Sequence, residues 1–154
     1  MDYILKQILK EIPDEVSTRL RTTLELVQKQ ARGAESYRQE TKIWTKEDNT
    51  PVSVSDLLHQ TQLQDLLAHE FPEDGLIAEE PRALQEESFE LATQISQDHY
   101  DYSLSKKLHH IPEKGEYTWI YDPIDGTKGY LKGRYYAIAL GCFHEDEPLF
   151  GIMA

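Results

Sequence analysis

The chain is 154 residues long, 39% apolar and 10% aromatic, which suits one domain with a real buried core. With 28 acidic residues against 16 basic ones its formal net charge is −12, a sign that repels nucleic-acid backbones and anionic membranes. Cys142 is the single cysteine, so an intrachain disulfide is excluded and a reducing compartment is compatible.

The opening Met1-Asp2-Tyr3-Ile4-Leu5-Lys6 has no basic region followed by an apolar run. Nothing in the chain approaches the roughly 18 consecutive apolar residues of a membrane span. Neither a signal peptide nor a span is read, and the cytoplasm is the expected compartment. A short helix is expected over residues 3–10. Pro13 disfavours helix at Ile12, and Asp14 is expected to cap a helix running to about Arg32. Val16, Leu20, Leu24, Val27 and Ala31 form its apolar face, and Gly33 is its expected stop. Residues 36–44 read as weak strand or loop, followed by a charged turn over 46–50.

Pro51-Val52-Ser53-Val54-Ser55 alternates apolar and polar. A helix is expected from near Ser55, with Leu58, Leu63, Leu66 and Leu67 on its buried side and Phe71-Pro72-Glu73-Asp74-Gly75 stopping it. Leu76-Ile77-Ala78 is a strand candidate that delivers Glu79 and Glu80 at its end, before Pro81 breaks the chain. Residues 83–97 read as a helix with Leu84, Leu91 and Ile95 in the core, and 99–115 as a polar surface excursion. Tyr117-Thr118-Trp119-Ile120-Tyr121 is a strand running into Asp122. Residues 135–143 and 149–154 form an expected hairpin around Glu145-Asp146-Glu147-Pro148. The expected core beneath the site is Val52, Ile77, Ile120 and Ile138. The chain ends inside its last apolar strand, which is open to two readings, an edge strand that happens to be terminal or a chain cut short of its natural end. Oligomeric state is not legible, although an unpaired last strand would invite association.

Chemistry concentrates at Asp122-Pro123-Ile124-Asp125-Gly126-Thr127. Two carboxylates three residues apart at a strand exit can converge on one point, and Pro123 stiffens the backbone between them. Hard cations such as Mg²⁺ take such oxygen ligands. Gly126, Thr127 and Lys128 can present amides to a phosphate where a short helix starts. Alone, the motif is equally readable as a surface turn. Asp56 at a strand-to-helix junction and Glu79-Glu80 at a strand end make it one of three strand-end carboxylate groups. His109-His110 is expected to be solvated loop, Cys142 a buried structural thiol, and Trp44 and Trp119 packing residues. Lys128, Lys132 and Arg134 are open to two readings, solvated surface or phosphate steering.

In order along the chain stand Lys46-Glu47-Asp48-Asn49-Thr50-Pro51-Val52-Ser53-Val54-Ser55-Asp56, a strand ending in Glu79-Glu80, and Trp119 to Gly133 with Lys128-Gly129-Tyr130-Leu131-Lys132-Gly133 after the turn. This pattern resembles the 3′(2′),5′-bisphosphate nucleotidases of the inositol-monophosphatase superfamily, the Lys128–Gly133 tail pointing to the nucleotidase branch. The resemblance implies a layered α/β (α+β) sugar-phosphatase fold with a mostly antiparallel sheet, residues 1–154 forming its N-terminal domain with the C-terminal domain absent. It implies Mg²⁺ held by Glu79, Asp122, Asp125 and the Ile124 carbonyl, with Asp56 and Thr127 orienting and deprotonating water. Asp125, Gly126 and Thr127 would contact the substrate phosphate. The implied reaction removes the 3′-phosphate of 3′-phosphoadenosine 5′-phosphate, and of its 5′-phosphosulfate relative, with an association to sulfur assimilation and lithium sensitivity. Alternatives are an inositol mono- or polyphosphate phosphatase, or a non-catalytic metal-binding fragment or interaction module. Two departures stand out. Ala78 replaces the family's usual Gly, and the second half, with a further metal-binding Asp and most nucleotide contacts, is not in these residues.

Overall fold

The structure is a computed structural model that describes residues 3–154, the side chains of Leu5 and Glu40 excepted. Met1 and Asp2, which open the stretch read for a signal peptide, lie outside the described residues. In chain order the elements are α1 (Tyr3–Glu11), α2 (Asp14–Tyr37), a 3-10 turn (Arg38–Glu40), β1 (Ile43–Thr45), β2 (Pro51–Ser53), α3 (Val54–Glu70), β3 (Gly75–Ala78), α4 (Arg82–His99), β4 (Tyr117–Asp125), α5 (Thr127–Leu131), β5 (Ala137–His144) and β6 (Glu147–Met153). Among the described residues no helix is long and apolar enough to cross a membrane.

Strands β3-β4-β5-β6 form one sheet in that order, and β1 and β2 form a separate antiparallel ribbon. The β3–β4 pair is parallel, with α4 in the crossover, while β4–β5 and β5–β6 are antiparallel. The layered α/β arrangement with a mostly antiparallel sheet is therefore as expected. One sheet face packs Trp119, Tyr121, Ile138, Leu140 and Cys142 against Leu26 and Val27 of α2 and Leu63 and Leu67 of α3. Each such buried side chain contributes roughly 1.5–3 kcal/mol of transfer free energy.

Strand alternation corrects part of the expected core. Val52 and Ile138 are fully buried, but Ile77 and Ile120 are 45% and 46% exposed. Successive strand side chains point to opposite faces. Because Leu76, Trp119 and Tyr121 take the inner face, Ile77 and Ile120 must take the outer one. That outer face is a shallow hollow of about 500 Å³ floored by Ala139, Gly141 and Gly151 and edged by Ile120, Phe143 and Met153.

Two helices depart from expectation. Helix α2 does not stop at Gly33 but runs to Tyr37, so much of the stretch read as weak strand or loop is helix and 3-10 turn, with only Ile43–Thr45 as strand. Gly33 serves packing instead, since a Cβ there would run into the Tyr100 ring. Pro13, rather than Asp14, holds the N-cap position, and it makes no side-chain capping bond. Helix α3 is buried almost all round, polar residues included, rather than on one side. Its polar groups are satisfied internally. Gln30 Nε2 donates to the His59 carbonyl (2.9 Å), Gln62 Nε2 to Ser96 Oγ (2.9 Å), and Tyr121 Oη to Gln30 Oε1 (2.7 Å). Buried amides hydrogen-bonded in this way avoid the cost of an unmet polar group, roughly 1–3 kcal/mol each.

A buried ion pair fixes α2 to the sheet. Arg19 donates to both carboxylate oxygens of Asp74 (2.9 and 2.7 Å), which also accepts from Trp119 Nε1 at 2.9 Å. The Arg19 guanidinium lies 3.7 Å from the Tyr117 ring centroid. In α4, Ile95 is buried as expected, whereas Leu91 lies on the solvent side at 36% exposure. Residues 100–116 carry no regular element, as expected. His109 departs from the solvated-loop reading, because its side chain is only 16% exposed beside Asp65, while His110 is exposed. Cys142 is the buried thiol expected, pushed up to about 12 by burial.

Candidate active site

The motif at the end of β4 is shaped by a register shift. Asp122 pairs with Ala139 and Asp125 with Ala137, so the β4 interval is one residue longer than the β5 interval it faces. Pro123 lacks an N–H for the ladder and favours such a bulge. In an even strand, residues three apart point to opposite faces. The extra residue cancels that difference. Asp122 and Asp125 consequently line one cleft of about 280 Å³, together with Lys46, Glu79, Ile124 and Thr127. Gly126 follows at φ 88°, a left-handed conformation that lets α5 start at once. The amides of Thr127 and Lys128, which open α5, are those a helix leaves without intrahelical acceptors.

Asp56 sits below this cleft, fully buried at the third position of α3. It forms a capping box with Ser53: Asp56 Oδ2 accepts from the Ser53 amide (2.7 Å) and hydroxyl (2.6 Å), and the Asp56 amide donates to Ser53 Oγ at 3.3 Å. The other oxygen, Oδ1, accepts from Thr127 Oγ1 at 3.1 Å. Burial pushes the Asp56 carboxyl up to about 6, even though the hydrogen bonds from Ser53 and Thr127 pull it down.

Glu79 and Glu80 leave β3 in different directions. Lys46 bridges them, its Nζ lying 2.9 Å from Glu79 Oε1 and 3.3 Å from Glu80 Oε2. Glu79 is half in solvent while the Glu80 side chain is buried. The Glu80 backbone is clamped by one side chain, its amide donating to Gln60 Oε1 (2.8 Å) and its carbonyl accepting from Gln60 Nε2 (2.9 Å). Burial, with Asp56 close by, pushes Glu80 up to about 7.

Asp122 carries the largest mismatch. Its Oδ1 is buried without a hydrogen-bond partner among the described residues. Burial first, then the charges of Glu79 and Asp125, push its carboxyl up to about 7. Lys46 is too far committed to Glu79 and Glu80 to neutralise the cluster alone. A set of oxygen donors with an unmet buried carboxylate oxygen fits a hard divalent cation. Glu79, Asp122, Ile124, Asp125, Gly126 and Thr127 are thus gathered around one cleft, with Asp56 reached through Thr127.

Several residues here were not singled out from the sequence. His59 is fully buried, with Nδ1 3.1 Å from the Pro123 carbonyl oxygen and Nε2 3.2 Å from Tyr100 Oη. Burial lowers it to about 4, so it is neutral and braces the turn from beneath. Nothing local in the sequence marks that long-range contact. Ser53 was legible, since Ser-x-x-Asp before an apolar run is a capping-box signal. The Lys128–Gly133 tail proves largely architectural: Tyr130 is fully buried, its hydroxyl 3.0 Å from Ser55 Oγ and donating to the Ala34 carbonyl at 2.9 Å. Of the small basic patch, Lys128 lines the cleft.

Comparison with known proteins agrees with this geometry. Over 125 residues the chain is 30% identical to a 3′(2′),5′-bisphosphate nucleotidase of Schizosaccharomyces pombe, covering 68% of this chain and 35% of that one. A probable 3′(2′),5′-bisphosphate nucleotidase 4 of Arabidopsis thaliana is 33% identical over 132 residues, 71% of this chain and 38% of its own. The chain thus spans little more than a third of the length of these curated relatives. Among solved structures, an IMPase of Thermotoga maritima superposes with TM-score 0.63 at 22% identity, over 88% of this chain and 43% of that one, a likeness of fold. A staphylococcal IMPase complexed with products gives TM-score 0.55 at 25% identity, over 97% of this chain and 43% of its own. The inositol monophosphatase family model matches residues 11–154, and the chain belongs to that family.

Proposed function

We propose that this cleft is the metal-holding half of a Mg²⁺-dependent phosphomonoesterase site that removes the 3′-phosphate from 3′-phosphoadenosine 5′-phosphate. The observation that carries the reading is Asp122 Oδ1, buried and unpartnered beside Glu79 and Asp125. Glu79, Asp122, Asp125 and the Ile124 carbonyl are the groups that would hold the cation. A bound divalent cation lowers the pKa of water and offsets charge on the attacking and leaving oxygens.

The remaining steps belong to the chain's own residues. Thr127 Oγ1 donates to Asp56 Oδ1, which leaves the threonine lone pairs to accept a proton from a water in the cleft. Asp56, with its raised carboxyl, is the base to which that proton passes. Asp125, Gly126 and the first amides of α5 contact the phosphate. The acidic cleft is reconciled with an anionic substrate because a cation held by these carboxylates would offset their charge.

Nucleotide specificity rests on the curated relatives, which are named for bisphosphate nucleotides. Turnover of the 5′-phosphosulfate, lithium sensitivity and a place in sulfur assimilation belong to the same reading. Residues 1–154 then act as the N-terminal domain of a longer unit, whose further length supplies another metal-binding carboxylate and most contacts to the nucleoside. A second reading, hydrolysis of an inositol phosphate, is favoured by the match to the inositol monophosphatase family over residues 11–154. Phosphate release from the bisphosphate nucleotide and from inositol monophosphate, measured side by side on the protein at its full encoded length with millimolar Mg²⁺, separates them. Preference for the nucleotide upholds the proposal. Preference for the inositol ester transfers the site to the second reading, and no release from either leaves a non-catalytic module.

A further inference from the structure

We propose that Asp65, His69 and His109 form a second cation site, for an ion of the Zn²⁺ class, at the far end of α3 from the carboxylate cleft. Asp65 and His69 are four residues apart on one helix and so share a face. His109 is brought onto that face by the irregular segment 100–116. One ligand atom from each of the three lies within 4.8 Å of the others. Asp65 Oδ1 is 3.5 Å from His109 Nε2 and 3.9 Å from His69 Nδ1. The two imidazoles meet edge to face with centroids 5.2 Å apart.

These separations are close to what a tetrahedral ion requires. Metal–ligand bonds of about 2.0–2.1 Å place neighbouring donor atoms roughly 3.3 Å apart. The two separations at Asp65, 3.5 and 3.9 Å, are within about 0.6 Å of that spacing, and the pair between the imidazoles, within 4.8 Å, closes by movement of His69, the most exposed of the three. The carboxylate is already oriented: the Ser105 amide donates to Asp65 Oδ1 at 3.2 Å, the Ser105 hydroxyl donates to the same oxygen, and Tyr102 Oη donates to Oδ2 at 3.3 Å. Outer hydrogen bonds of this kind fix a ligating group and its geometry. The Asp65 side chain is 9% exposed and that of His109 16%, whereas His69 is 55% exposed and free to adjust.

Binding has a definite proton and hydrogen-bond balance. His109 Nε2 must present a lone pair, so it gives up its 2.9 Å bond with Ser105 Oγ. His69 exchanges its 2.7 Å bond to the Asp65 carbonyl for the ion. Any imidazolium present releases its proton to solvent. Two imidazoles and one carboxylate select a borderline ion over Mg²⁺, which prefers oxygen throughout. Asp65 and His69 also line a hollow of about 370 Å³ edged by Leu66, Glu70 and Tyr102, which gives an ion there access to solvent. Asp56 lies nine residues back along the helix, on the order of 13 Å away at 1.5 Å per residue. The site is therefore distinct from the cleft and ties the 100–116 segment to α3.

The test is a zinc titration of the chelator-stripped protein against a chromophoric zinc indicator, with millimolar Mg²⁺ present throughout. One equivalent of zinc binds with micromolar or tighter affinity, and His69→Ala and His109→Ala each weaken it at least tenfold. His69→Ala is the decisive variant, because a half-exposed side chain is removed and circular dichroism stays unchanged. Asp122→Asn, in the other cleft, leaves the zinc affinity as it was. The proposal is overturned if wild-type protein takes up no zinc, if His69→Ala binds zinc as wild type does, or if Asp122→Asn abolishes uptake.

Discussion

Thr127 Oγ1 stands 3.1 Å from Asp56 Oδ1 and also 3.1 Å from the carbonyl oxygen of Ile124, with one proton to give to the two acceptors. The contact joins α5 to α3 across 71 positions of sequence. When the proton goes to Asp56, the threonine oxygen faces the cleft as an acceptor. Thr127→Val therefore lowers turnover of the bisphosphate nucleotide by roughly 10²–10⁴-fold, the usual worth of a proton-transfer group. Thr127→Ser, which keeps the hydroxyl, restores most of it. Steady-state phosphate release with thermal melting as a folding control reads both variants, and equal loss in Val and Ser would deny the hydroxyl its role.

Asp122→Asn is expected to act with opposite signs on stability and function. Without divalent cation, the substitution removes a carboxylate crowded by Glu79 and Asp125 and raises stability by about 1 kcal/mol after solvent screening. Added Mg²⁺ then raises the melting temperature of wild-type protein but not of the variant, because an ion stabilises only the state that binds it. Melting curves with and without Mg²⁺ decide this, and a cation-free variant less stable than wild type would count against the account.

His59 supplies a pH dependence. Its folded-state value is lowered to about 4, below the ordinary 6.5, so between those values the unfolded chain binds the extra proton. Its contribution is present above pH 6.5 and is lost as pH falls towards 4, a change on the order of 3 kcal/mol across the window. The stability difference between wild type and His59→Gln therefore grows as pH rises from 4 to 6.5 in urea unfolding. A flat difference would mean that the imidazole is not held neutral by burial.

Gly33→Ala opposes helix propensity. Alanine in mid-helix is ordinarily worth about 1 kcal/mol more than glycine. Here the new Cβ meets the Tyr100 ring, which cannot swing away because its hydroxyl is held by His59 Nε2. The substitution destabilises the protein by about 1–3 kcal/mol, read from denaturant midpoints. Stabilisation would show that the ring is not fixed.

These residues also show where sequence reasoning succeeds. The β3 and β4 strands, the hairpin and the Asp122–Thr127 turn were legible because alternation, Pro and Gly act locally. Asp56, Glu79 and the turn could be associated through their strand-end positions and the family resemblance. Which strand face is inward was not legible: Ile77 and Ile120 are as apolar as Leu76 and Trp119, and only the sheet's packing on α2 and α3 selects between them. Gly33 has the composition of a helix stop, yet a ring arriving from residue 100 gives it another use. His59 and His109 act through partners 64 and 44 positions away, Pro123 and Asp65, and short-range pattern carries no trace of either contact.

The most direct test of the central claim is a Mg²⁺ titration of phosphate release from 3′-phosphoadenosine 5′-phosphate by the full-length protein, wild type beside Asp125→Asn. Wild-type turnover rises saturably with Mg²⁺ and vanishes with chelator, while Asp125→Asn is inactive at limiting Mg²⁺ with its fold intact. Turnover of Asp125→Asn equal to wild type at limiting Mg²⁺ would contradict the assignment of this cleft as the metal site.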